Sequence, residues 1–351
     1  MSQGLRVLVL GDIGATNVRF ALLSNGVLGP IKWFTVADFP RFTDAVTAFL
    51  DCHCRHVSVR EALLAVAGPV DNDRCVLTNS AWTIDAAELS AAFSFAKVHI
   101  LNDFEATALS LPVLTRADLY QVGGGQAILG APMAVLGPGT GLGVACFVPG
   151  SQSPTVIASE GGHATMAATS DREDAIIAYL RQQFGHVSAE RVVSGSGLEN
   201  LYRAVIAIDG IGAPKRNAAE ITNAALDGTC PVARAALDLF CAMLGTFAGN
   251  VALMFGARGG VFIAGGIAPR LTEYIARSDF RARFEHKGRF SQYLASIPSS
   301  IIVHPAATFM GLRSIAQRAL TRGQDRRHVG AGERLLTSWR SSLIPSSGCA
   351  S

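Results

Sequence analysis

The sequence contains no apolar run approaching the roughly 20 residues that a membrane span needs. Its N-terminal apolar stretch, Leu5 to Leu10, is too short for a signal peptide and lacks a cleavage region. The expectation is a cytoplasmic protein with no membrane partner. Charge of one sign is also scarce. Lys and Arg number 30 against 27 Asp and Glu, and the net +3 is carried by Thr321 to Ser351, where five Arg meet one Asp and one Glu. The rest of the chain is neutral, which argues against nucleic acid, because a phosphate backbone needs a basic face. No disulfide framework is visible either. Seven cysteines at positions 52, 54, 75, 146, 230, 241 and 349 are an odd, scattered set that reads as free thiols. Cys52-His53-Cys54 is tighter than usual zinc spacing and has no second pair nearby, so it reads as the end of a surface helix.

What the chain does have is length and apolar content. With 351 residues and 49% hydrophobic composition it can bury two adjoining cores. Strands are expected at Leu5 to Leu10, Asn17 to Leu23 and, after an Asn25-Gly26 turn, Val27 to Thr35. More follow at Glu61 to Ala67 and Val98 to Leu101, with a helix from Ile84 to Phe93 between them. In the middle of the chain, Met133 to Leu136, a Gly-rich loop and Val144 to Val148 repeat the opening plan of strand, loop, strand. The second half turns helical. Ser170-Asp171-Arg172-Glu173 reads as a capping box, Pro231 opens a long apolar helix reaching about Phe255, and Gly260 to Ala264 is a strand ending at Gly265-Gly266. Beyond Leu320 periodicity fades into an Arg-, Ser- and Gly-rich tail, expected to be flexible.

The first loop, Gly11-Asp12-Ile13-Gly14-Ala15-Thr16-Asn17, has small residues that let backbone N–H groups approach an anion, and hydroxyl and amide donors. It has no lysine and leads into a strand, so it is neither a Walker loop nor a dinucleotide fingerprint. Asp12 admits two readings: a strand-end turn, or a carboxylate that tolerates bound phosphates because Mg²⁺, contacted through water, lies between. The second loop, Gly137-Pro138-Gly139-Thr140-Gly141-Leu142-Gly143, exceeds what a hairpin requires, and two such loops can hold a triphosphate from both sides. Gly265-Gly266 suits a base and ribose lying against backbone. Asn102-Asp103 follows a strand, where it serves either as a helix N-cap or as active-site groups. Glu160 and His163 flank Gly161-Gly162, which lets both polar groups face one ligand.

These loops resemble the phosphate 1, phosphate 2 and adenosine motifs of the actin, Hsp70 and sugar-kinase ATPase superfamily. Within it the sequence is similar to bacterial glucokinases of the proteobacterial type from about Leu8 to Ser314. The resemblance also rests on Ala67-Gly68-Pro69-Val70, Leu77 to Trp82, Leu101 to Ala106, Glu160 to His163, Ser188 to Val192 and Gly259 to Ile267. It implies an α/β, two-lobed, duplicated actin/ribonuclease-H-like fold with mixed sheets flanked by helices. The lobes would be 1–110 with about 305–320, and 111–304, followed by a 321–351 tail. It implies ATP-dependent phosphorylation of glucose at the 6-hydroxyl, feeding glycolysis, by a homodimer. Asp103 would be the general base. Asn79, Asn102, Asp103, Glu160, His163 and Glu190 would hold the sugar. Gly11, Asp12, Gly14, Ala15, Thr16, Asn17, Gly139, Thr140, Gly141, Gly265 and Gly266 would bind ATP, with Asp12 serving Mg²⁺. The alternative is a sugar-sensing regulator or another hexose kinase on the same fold. Ala15 replaces a common glycine, at a cost of about 1 kcal/mol if the backbone there is left-handed. Thr165 stands where relatives commonly have Asp.

Overall fold

A computed structural model describes residues 6–54, 57–77, 81–151 and 153–318. The opening meander is β1 (Val7–Ile13), β2 (Asn17–Ser24), β3 (Val27–Leu28) and β4 (Lys32–Thr35). Asn25 and Gly26 turn β2 into β3 with φ of 49° and 81°, the paired positive values of a type I′ hairpin. Next come α1 (Phe42–His53) and β5 (Glu61–Val66), then the ribbon β6 (Arg74–Val76) and β7 (Thr83–Asp85). They are followed by α2 (Ala86–Phe93), β8 (Lys97–Asn102) and α3 (Asp103–Ser110). Cys52 and His53 form the last residues of α1, as a helix end. The first sheet runs β3-β2-β1-β5-β8, with β4 also on β2. Strand β2 is antiparallel to β1, whereas β1, β5 and β8 are mutually parallel.

The second sheet is built from β9 (Leu119–Gly123), β10 (Met133–Pro138), β11 (Leu142–Val148), β12 (Thr155–Ser159), β13 (Gly260–Ile263) and β14 (Ser299–Ile302). Its order is β12-β11-β10-β13-β14-β9. Again the second strand of a hairpin is antiparallel to the first, and the first runs parallel to the next two. The duplicated plan expected from the two Gly-rich loops is therefore present in the pairing. Strand β9, antiparallel to β14, has no counterpart in that expectation. Its sequence, Leu119-Tyr120-Gln121-Val122-Gly123, is too mixed to announce a strand, and β14 supplies the edge that makes it one.

Helices α4 (Asp171–Phe184), α5 (Gly195–Asp209), α6 (Ala218–Leu226), α7 (Pro231–Phe255), α8 (Thr272–Arg277), α9 (Phe280–Glu285) and α10 (Ser291–Ala295) supply the large core on the second sheet. A last helix, α11, spans 307–318. The expectation that no apolar run is long enough to span a membrane needs correcting for α7, which meets that test by length and composition. Most of its apolar window is buried, with Phe240, Leu244 and Phe247 inside the large core, so burial by neighbouring helices accounts for its hydrophobicity. The capping box at α4 is only half formed. Ser170 Oγ accepts from Glu173 N at 3.3 Å, but the buried Glu173 carboxylate turns to Thr169 N (2.8 Å) and to Arg283 on α9 (2.7 Å).

Alternation along β1 decides which core each residue joins. Val9 and Ile13 meet Phe20, Phe42, Phe49 and Trp82 on the α1 side. Leu8 and Leu10 face a middle layer shared by both sheets, where Ala106 of α3 and Phe309 of α11 pack with Val135 and Phe147. At about 25 cal/mol per Å² of apolar surface removed from water, this shared layer ties the two sheets together and places α3 at their junction.

Candidate active site

Parallel strands end side by side in each sheet, and Asn102-Asp103, the two Gly-rich loops and Gly265-Gly266 follow those ends. Glu160 and His163 instead follow the antiparallel edge strand β12, and Glu190 lies in the connection from α4 to α5. Across the first sheet, Ile13, Val66 and Asn102 lie in register, so Asp12, Gly68 and Asp103 come from three adjacent strand ends. Asn102 is the N-cap of α3. Its Oδ1 accepts from Phe104 N at 2.9 Å and Glu105 N at 3.3 Å, while Nδ2 donates to Gly68 O at 3.1 Å. The N-cap reading of this residue is correct, and the second Nδ2 hydrogen is the part of its amide left to meet a ligand. Asp103, the first residue of α3, accepts Phe104 N at 2.9 Å. Its pKa is pushed up to about 7, first by burial and then by the negative charge of Asp12, with a smaller push from Glu160. Backbone N–H groups oppose that shift only partly. The electrostatics thus bring Asp12, Asp103 and Glu160 to one place although 148 residues separate the first from the last.

The first loop is shorter than expected, because β1 continues through Gly11 and Asp12 to Ile13. Gly11 is buried within that strand. The turn proper is Gly14, Ala15 and Thr16, closed by Gly14 N donating to Asn17 O at 3.0 Å. Thr16 and Asn17 are exposed, with Gly14 and Ala15 half-buried. Ala15 is not among the residues with positive φ, so its methyl carries no left-handed strain. Asp12 is paired: Arg19, its register partner on β2, donates through Nε at 2.8 Å and also through Nη2. Among the described residues no hydrogen bond reaches Asp12 Oδ1.

In the second loop Gly139 N donates to Gly141 O at 2.8 Å and Gly139 O accepts from Gly195 N at the start of α5, at 2.9 Å. Thr140 is exposed at the tip. Gly265 (φ 82°) and Gly266 are exposed beside this loop, where Ile267 N donates to Pro138 O at 3.4 Å. Gly143 serves a different purpose from phosphate approach. A Cβ there would fall 1.9 Å from Phe104 Cδ2, so its missing side chain seats the ring next to Asp103.

Glu160 and His163 are exposed, with Oε2 and Nε2 4.0 Å apart. Glu190 Oε2 accepts from Leu142 N at 2.9 Å, which places this carboxylate against the second loop. Thr165 hydrogen-bonds His186 Nε2 at 2.9 Å and bridges to Ser188, joining the Glu160 and Glu190 segments. Asn79 lies outside the described residues, as does the 321–351 tail. Sequence reasoning missed Arg19, Phe104 and Leu142. The signal for Arg19 was available, since a short turn between β1 and β2 sets the residue opposite Asp12.

The glucokinase family model matches residues 9–319, a span that contains every candidate residue named above. The chain belongs to the glucokinase family. A glucokinase of Paramagnetospirillum magneticum is 47% identical over 318 residues, covering 90% of this chain and 98% of that one. One of Pectobacterium atrosepticum is 42% identical over 314 residues, covering 89% and 97%. Among solved structures, a glucokinase from an Antarctic psychrotroph superposes with a TM-score of 0.79 at 38% identity, covering 89% of this chain and 99% of that one. A Streptomyces griseus glucokinase in complex with glucose and AMPPNP, at 17% identity and a TM-score of 0.61, shares the fold.

Proposed function

We propose that Asp103 is the general base in the ATP-dependent phosphorylation of glucose that this chain carries out as a member of the glucokinase family. What carries the reading is the placement of Asp103 at the β8 end, with a pKa raised to about 7 beside Asp12 and Glu160. A base with a pKa near operating pH is matched to taking a hydroxyl proton. The Asp103 carboxylate removes the proton of the glucose 6-hydroxyl as that oxygen attacks the γ-phosphorus, and the bond to the β-phosphate oxygen breaks to release ADP. Asn102, Glu160, His163 and Glu190 hold the sugar hydroxyls, with Asn79 completing the set. The turn at Gly14, Ala15, Thr16 and Asn17 and the tip at Gly139, Thr140 and Gly141 flank the phosphates, while Gly265 and Gly266 back the adenosine.

The oxygen donors fit Mg²⁺, whose preference is for hard ligands and retained waters. Asp12 has Oδ1 without a hydrogen bond among the described residues and its charge raises the pKa of Asp103, so a cation there would relieve that repulsion. Among the described residues no cluster of three metal-ligating side chains occurs, consistent with a cation that arrives on the nucleotide. Bound there, Mg²⁺ would supply charge neutralisation of the phosphates. The same reading assigns residues 1–110 and about 305–320 to one lobe and 111–304 to the other; the strands of the first sheet come from 1–110 and those of the second from 111–304. It also takes the chain to be a cytoplasmic homodimer acting in glycolysis. A coupled assay of ATP consumption tests the activity: turnover should be low alone and rise sharply with glucose, and a high sugar-independent rate would sink the kinase reading.

A further inference from the structure

The second loop holds both arms of the sugar cage as well as facing the nucleotide. Leu142 N donates to Glu190 Oε2 at 2.9 Å. On the other side of the same peptide unit's residue, Leu142 O lies where a Cβ on Gly162 would come within 2.0 Å, so the Glu160 to His163 segment sits directly on that carbonyl. Gly161 rests on the next strand residue but one, its Cβ position being 3.3 Å from Val144 Cβ. Gly141 contributes by lacking a side chain. A methyl there would stand 2.5 Å from Glu190 Oε2, in the space the carboxylate needs to reach Leu142 N. Gly139, two residues earlier in the same loop, has open space at its Cβ position and no atom within 4 Å.

We propose that Gly141 and Leu142, which lie in the loop assigned to the ATP phosphates, are positioning residues for glucose, acting through the seat they give Glu190. The proposal rests on the reading of Glu190 as a sugar ligand. A carboxylate on a flexible side chain binds a hydroxyl well only if its orientation is set beforehand, and the Leu142 N–H sets it with a charge-assisted hydrogen bond. The two glycines of the loop then divide by function: Gly139 leaves room for an incoming ligand, and Gly141 leaves room for Glu190. A methyl at position 141 should displace the carboxylate and weaken sugar binding even with no nucleotide present, whereas a methyl at 139 should be felt by ATP.

The experiment is calorimetric titration of glucose, without nucleotide, into the wild type and the Gly141→Ala, Gly139→Ala and Glu190→Ala variants. Expected is a loss of at least about tenfold in glucose affinity for Gly141→Ala, with Gly139→Ala within about twofold of wild type. Wild-type glucose affinity in Gly141→Ala together with its loss in Glu190→Ala would overturn the proposal and leave Glu190 as a sugar ligand. Wild-type affinity in Glu190→Ala would overturn the reading of Glu190 itself. Should Gly141→Ala fail to fold, amide exchange at Leu142 in Glu190→Ala decides instead. Faster exchange than in the wild type is expected, and an unchanged rate overturns the proposal.

Discussion

Arg19 binds the Asp12 carboxylate from the neighbouring strand and, through Nη1, donates to the carbonyl of Pro305 at 2.8 Å. Its guanidinium also lies 5.0 Å from the ring centre of Trp33 and 5.6 Å from that of Phe309. One side chain therefore joins β1 and β2 to the segment that enters α11. Only 18% of the Arg19 side chain and 13% of that of Asp12 are exposed, so the pair is poorly screened by solvent.

Replacing Arg19 by Met retains an apolar stem but leaves Asp12 and Pro305 O without their donor. Leaving such groups unpaired costs about 1–3 kcal/mol. The melting temperature of Arg19→Met should fall, and the Michaelis constant for ATP should rise more than that for glucose, because the carboxylate that loses its partner borders the loop proposed to bind the nucleotide. Thermal unfolding and steady-state kinetics check this; equal change in both constants would show that Arg19 serves the fold alone.

Phe104 follows Asp103 and is seated by the missing side chain of Gly143. Gly143→Ala should push the ring, and with it the first turn of α3, lowering kcat by roughly tenfold or more through misplacement of the base. A smaller side chain at 104 makes room for the new methyl, so the double variant Gly143→Ala, Phe104→Leu should recover part of the lost turnover. No recovery in the coupled assay would mean that Gly143 acts on the phosphates.

Much of the candidate site was legible because its residues punctuate the chain. A Gly-rich break after an apolar run marks a strand end, and parallel strand ends are where α/β folds gather ligand groups. The I′ turn at Asn25-Gly26 and the full length of α7 from Pro231 to Phe255 were equally plain, each fixed by local chemistry. What was hidden depends on contacts between distant segments. Nothing near Glu190 announces that its carboxylate rests on Leu142 N, and nothing near Thr165 predicts His186 as its partner. The run Gly11 to Asn17 looked like a continuous loop because small residues leave both conformations open; pairing with β2 and β5 extends the strand to Ile13.

Asp12 raises the pKa of Asp103 through its negative charge. Asp12→Asn removes that charge while preserving size, so the pKa of Asp103 should fall and the acidic limb of the pH profile of kcat/KM for glucose, which reports free-enzyme groups, should move to lower pH. The same change should weaken the dependence on Mg²⁺ more than it weakens glucose binding. Turnover measured from pH 5 to 8 across a Mg²⁺ series reads both effects. An unmoved limb and an unchanged Mg²⁺ dependence would leave Asp12 only its structural pairing with Arg19.

Asp103 itself yields the most direct test, because its chemistry and its effect on stability run in opposite directions. In the folded chain it keeps its proton until about pH 7, whereas an unfolded aspartic acid releases it near about pH 3.9. Between those values the native state holds the extra proton, so the group's contribution to stability declines as pH rises, and the decline is complete above about pH 7. Asp103→Asn carries no titrating proton and escapes that decline. Its melting temperature should exceed that of the wild type by at least about 2 °C at pH 8, with the gap shrinking toward pH 5. Turnover moves the other way: loss of a positioned base lowers kcat by about 10²–10⁴-fold, while calorimetry should still detect glucose. A variant that is more stable at pH 8, binds glucose and turns over poorly would place the proton acceptor at residue 103. Near wild-type kcat would remove Asp103 from the mechanism, and a lower melting temperature at pH 8 would show that its carboxylate is stabilised by interactions that outweigh its burial.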